Sequence, residues 1–175
     1  AAIESLDDPL VNVEHPQAFV EIDTRTARIG LAVAERRLDE ALQLAAALNA
    51  RVEEMGTVFW LPEILQAKAD ILLALGRATE AAGALAAAAD LSRRSGARFQ
   101  LWAYLAQLAD AQDQIGDGRA AETRGAAVAE LAYVMEHTWP DALRESLARW
   151  AATISPRLAT EPTAPRTTPP APARR

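Results

Sequence analysis

Leu61, Ile64, Leu65, Lys68, Ile71, Leu72 and Leu75 recur at helical spacing, so the apolar positions fall on one stripe with the Lys68 stem at its edge. The pattern predicts a helix over residues 61–75. Pro62 suits its first turn, where a missing donor costs nothing, and Gly76 suits the left-handed position that ends it. A second stripe, Ala78, Ala81, Ala82, Leu85, Ala88, Ala89 and Ser92, runs on to Gly96 as the next terminator. Residues 61–95 therefore read as a helical hairpin.

The hairpin repeats. Phe19, Phe59, Phe99 and Trp139 recur every 40 residues, as do Ala41, Ala81 and Ala121, and Leu48, Ala88 and Val128. Gly56 and Gly96 share the interval, as do Gly76 and Gly116. Carried along the chain, the register predicts first helices near 16–34, 61–75 and 98–115 and second helices near 37–55, 78–95 and 119–137. A seventh helix follows at about 139–154, with Leu143, Leu147 and Trp150 as its buried stripe and Arg144, Glu145 and Arg149 outside. Such a half-repeat would close the last apolar face as a cap.

Three regions follow. Residues 16–155 form the helical repeat domain. From Pro156 onward, six prolines in twenty residues and no apolar periodicity predict a disordered tail over 156–175, rich in Pro, Thr and Arg. Residues 1–15, with Pro9 and Pro16 around Leu10-Val11-Asn12-Val13, are consistent with the remnant of a preceding repeat.

Composition sharpens this all-α reading. Half the residues are hydrophobic but only 5 % are aromatic, and Ala leads the apolar set, which favours helices packed closely through small side chains. The basic residues are Arg except for Lys68, the usage of a GC-rich bacterial genome. Net charge is −6, and the tail holds Arg157, Arg166, Arg174 and Arg175 against Glu161, so residues 1–155 stand at −9. A folded part that acidic repels nucleic-acid phosphate. The longest uncharged apolar run within a helix, Ala81 to Ala89, is far short of the roughly 20 residues of a membrane span. With no Cys and no basic, apolar leader at Ala1-Ala2-Ile3-Glu4, the expected location is the cytoplasm. No initiator Met opens the chain, which reads as part of a longer protein.

The run Ala69-Asp-Ile-Leu-Leu-Ala-Leu-Gly76-Arg-Ala-Thr-Glu-Ala81, followed by Leu85 and Ala88, resembles the tetratricopeptide repeat. The third repeat keeps Ala109, Gly116, Ala121 and Val128 but has Gly125 where a large side chain is usual, and in the first Arg36 replaces the turn Gly. The 40-residue period is longer than the roughly 34 residues of that repeat and overlaps the HEAT range. The resemblance implies a right-handed superhelix of antiparallel hairpins, a tetratricopeptide-like α-solenoid of about three repeats plus a capping helix. It places Asp23, Thr26, Glu63, Gln66, Asp70, Asp110 and Asp113 on a concave inner face. Residues Trp60-Leu-Pro-Glu-Ile-Leu through Leu75-Gly76, and Ser95-Gly96-Ala97-Arg98, are similar to the C-terminal helical-repeat regions of bacterial signalling ATPases of the cyclase-linked and transcription-regulator kinds.

Catalytic chemistry is not expected. Gly116-Asp117-Gly118 precedes Arg119 rather than the Lys of a phosphate-binding loop and reads as a turn. The only two His, His15 and His137, share no motif, so neither a triad nor a zinc site is predicted, and no cofactor is implied. Adjacent acids such as Glu53-Glu54 diverge by about 100° on a helix instead of converging on a substrate. The aromatic series reads as a wedge buried between successive hairpins, with ligand stacking as the weaker alternative. The expected function is a non-enzymatic protein-interaction scaffold that takes a protein or peptide partner, basic to match its acids, or another domain of the same polypeptide. A regulatory module sensing a small molecule in the groove is the alternative.

Overall fold

The structure, a computed structural model, describes residues 16–56 and 58–159. Seven helices follow in order: α1 (Pro16–Ala34), α2 (Leu38–Glu54), α3 (Leu61–Ala74), α4 (Ala78–Ser95), α5 (Arg98–Gln114), α6 (Ala120–His137) and α7 (Asp141–Ile154). Single turns of 3-10 helix occupy Val58–Trp60 and Pro156–Ala159. Among the described residues there is no strand, and no helix is long and apolar enough to cross a membrane. Each of α1 to α5 packs against the next in sequence. The expectations for residues 1–15 and for the tail beyond Ala159 lie outside the described residues.

The stripes close the hairpins as their spacing requires. Leu61, Ile64, Ile71 and Leu72 are buried on α3, and Ala81, Ala82, Leu85, Ala88, Ala89 and Ser92 on α4. The α3 to α4 turn is a Schellman closure: Gly76 N donates to Leu73 O at 3.0 Å and Arg77 N to Leu72 O at 2.8 Å, with Gly76 at φ 74°. The first hairpin makes the same two bonds, from Arg36 to Val33 at 3.0 Å and from Arg37 to Ala32 at 2.8 Å, with Arg36 forced to φ 61°. Arg36 thus does a glycine's job in a region that an L side chain enters at a cost.

The third hairpin departs from the 40-residue register. That register would begin α6 at Gly118, yet the helix begins at Ala120. Asp117 marks the difference, because its carboxylate accepts from Arg119 N at 3.0 Å, a bond that Arg77 at the equivalent place has no side-chain oxygen to make. The buried stripe of α6 becomes Ala120, Ala127 and Val134, one residue ahead of the repeat positions, so Ala121 is exposed where Ala41 and Ala81 are buried. Gly125 is exposed too, and Arg124 takes the place that Leu85 holds in α4.

The aromatic wedge is a correction. Phe59 is 69 % exposed, Phe99 59 % and Trp139 83 %, while the side chain of Phe19 lies outside the described residues. The bulky interior roles pass to Trp102 and Tyr104 of α5, both fully buried. α5 is buried almost all round from Leu101 to Ala106, because α4, α6 and α7 all pack on it. Trp150 of α7 stacks on Phe99 at 6.3 Å and meets Trp102 edge-on at 4.9 Å. Of the α7 stripe, Leu147 is buried but Leu143 is exposed. The folded part also runs past residue 155: Leu158 is buried in the cluster formed by α5, α6 and α7, so Pro156–Ala159 belongs to the domain and not to a tail.

Candidate binding face

α3 and α5 hold the same place in successive hairpins, and their polar residues meet across the gap. Gln66 Nε2 donates to Gln107 Oε1 at 2.8 Å, and Gln107 Nε2 donates to Asp70 Oδ1 at 3.2 Å. Further toward the helix starts, Gln100 Nε2 donates to Glu63 Oε1 at 3.1 Å, and Tyr104 Oη donates to Gln100 Oε1 at 3.0 Å. Burial pushes the Tyr104 hydroxyl pKa up, so it serves as a neutral donor. Gln100 and Gln107 are each used as both donor and acceptor, which fixes their orientation and gives the face a polar ladder.

At the far end of α5 the acids are already engaged. Arg124 Nη2 reaches Asp113 Oδ2 at 2.6 Å and Asp110 Oδ1 at 3.2 Å, and its side chain is only 14 % exposed. Arg157, from the turn after α7, pairs with the same Asp113 and approaches Asp110 at 3.7 Å. An open recess of about 430 Å³ lies among Asp110, Asp113, Gln114, Pro156 and Arg157. The hydrogen bond from Arg124, reinforced by Arg157, holds the Asp113 carboxyl below the usual aspartate range. Asp70 is shifted the opposite way: crowding by protein atoms raises its pKa, and the bond from Gln107 only partly offsets that.

Of the seven residues singled out from the sequence, Glu63, Gln66 and Asp70 on α3 bond to Gln100 and Gln107 of α5, while Asp110 and Asp113 on α5 pair separately with Arg124 and Arg157. Asp23 and Thr26 stand exposed on α1, which the network does not reach among the described residues. Sequence reasoning missed Gln100, Gln107, Tyr104, Arg124 and Arg157. A signal existed for two of them, since Gln100, Gln107 and Gln114 repeat every seven residues along α5. None existed for Arg124, whose place depends on the shifted start of α6. Among the described residues no three His, Asp or Glu side chains converge as metal ligands.

No protein-family model, no curated protein and no solved structure matches this chain.

Proposed function

We propose that the chain is a non-enzymatic protein-binding scaffold whose hairpins wind as a tetratricopeptide-like right-handed superhelix, with the α3 and α5 face as its inner, partner-binding surface. The observation that supports this reading is Arg157. A guanidinium brought in from 44 residues away sits on Asp113 and Asp110, so this face accepts a basic side chain in the way a partner's Lys or Arg would be accepted. The polar ladder adds fixed amides and a carboxylate beside the pair. In this reading the module is the regulatory repeat region of a larger bacterial signalling protein, of the ATPase, cyclase or transcription-regulator kind, and works in the cytoplasm.

Peptide display on the immobilised chain tests the proposal. Selected sequences should be rich in Arg and Lys and should be lost when Asp70, Asp110 and Asp113 are changed together to Asn. A selection without basic enrichment, or one retained on the triple variant, would point to another surface.

A further inference from the structure

α1 buries Ile22, Ile29 and Ala32 but leaves Val20 67 % and Leu31 55 % exposed. The 40-residue register shows what such positions do elsewhere. Val20, Thr24 and Leu31 correspond to Trp60, Ile64 and Ile71, and Ile64 and Ile71 are buried in one cluster with Ile22, Ile29, Leu48 and Val52 of the hairpin before, with Trp60 packed against it. On the second helix, Leu44 corresponds to Ala84, which is buried. Val20, Thr24 and Leu44, whose counterparts in the second repeat are packed or buried, thus line an open groove of about 710 Å³ in the first, together with Glu21, Arg25, Arg28 and Ala47.

We propose that residues 1–13 of the same chain cover this groove, seating Leu6, Leu10 and Val13 over Val20, Thr24 and Leu44. Reach is sufficient. The segment joins α1 through residues 14 and 15, and thirteen residues extend up to about 43 Å at ~3.3 Å each, against ~28 Å for α1. Charge is complementary as well. The segment carries Glu4, Asp7 and Asp8, with Glu14 following, and no Lys or Arg. The groove lining holds Arg25 and Glu21, paired with each other at 2.9 Å, and Arg28, which has no ion pair with another described residue and is left to meet an acid. An acidic partner with apolar anchors fits that lining, and this segment is covalently tethered beside it, so its effective concentration is high. The inference does not depend on the inner-face reading.

The chain lacks Cys, which makes cross-linking clean. Leu10→Cys or Val13→Cys, each paired with Thr24→Cys or Leu44→Cys, should give a disulfide within one chain on mild oxidation, since bridging requires Cα atoms within about 7 Å. Deleting residues 1–13 should speed amide exchange in α1 and lower the melting temperature. Val20→Asp should lower it in the full chain but add nothing in the truncated one, because the shared contact is already gone. Cross-links found only between two chains would overturn the proposal in favour of a second copy. So would four pairs that fail to cross-link together with unchanged α1 exchange on deletion.

Discussion

Arg124 of α6 holds Asp113 of α5 at 2.6 Å from the position that Leu85 fills one hairpin earlier. A large apolar side chain has been exchanged for a cation, and the acids of α5 supply its counter-charge. That exchange ties the last complete hairpin to the turn after α7, because Arg157 shares the same carboxylate.

The two aspartates of the face should respond to pH with opposite signs. The folded-state pKa of Asp113 is depressed, so its contribution is present above the ordinary aspartate value of about 3.9 and is lost as pH falls through the folded value. Asp113→Asn should therefore lower the melting temperature near pH 7, with the gap closing below about pH 4. The folded-state pKa of Asp70 is raised, so its ionised form is penalised at neutral pH. Asp70→Asn, which keeps an acceptor for Gln107, should raise the melting temperature slightly at pH 7. A fall as large as that of Asp113→Asn would show that Asp70 is not desolvated.

The buried wedge is Trp102, not the aromatic series. Trp102→Ala should cost about 3–5 kcal/mol, the range for emptying a buried aromatic site. Phe99→Ala removes a half-exposed ring stacked on Trp150 and should cost about 1 kcal/mol or less. Denaturant midpoints of the two variants give the comparison, and equal large losses would mean that Phe99 is packed inside.

Arg36→Gly should stabilise the chain by about 0.5–1 kcal/mol, since it relieves a positive φ in a turn that already makes both Schellman bonds. The same substitution at Arg37, whose φ is −86°, relieves no positive φ and should give no gain. Thermal melts of the two variants make the check.

Gly125 lies inside α6 with open space around the place of a Cβ atom. Gly125→Ala should add about 0.5–1 kcal/mol through helix propensity alone. A loss instead would place this residue at a packed seam, where the unshifted register would have put it.

Helix limits were readable because apolar spacing and left-handed terminators act within a few residues. The stripes on α3 and α4, down to the buried Ser92, follow directly from period and turn chemistry. The phase of α6 was not readable, because the helix starts two residues later than the repeat requires, at a loop where the Asp117 carboxylate accepts from Arg119 N. Exposure of Phe59, Phe99 and Trp139 was hidden for another reason: periodicity tells which positions share a face, not which of them the packing covers. Within the candidate face, the acids of α3 and α5 were legible from repeat register. Their arginine partners were not, since Asp113 and Arg157 lie 44 residues apart and meet only through packing of the last helix.

Arg157 covers the acid pair that a basic partner would use. Replacing it by Ala should therefore tighten the binding of an Arg-rich peptide selected on the chain, by removing an internal competitor. Isothermal titration against the unaltered chain reads the difference, and weaker binding would make Arg157 part of the docking surface instead.

The most direct test of the inner-face account is the association rate of such a peptide, followed by stopped-flow at two ionic strengths for the chain and for Asp70→Asn/Asp110→Asn/Asp113→Asn. Attraction between exposed charges is screened over about 8 Å at physiological salt, so the rate for the unaltered chain should fall several-fold as salt rises. The triple variant, confirmed as folded by its helical circular dichroism, should associate more slowly at low salt and show a flatter dependence. Equal rates and equal salt slopes for the two proteins would contradict the account and assign the acids of α3 and α5 to solvation alone.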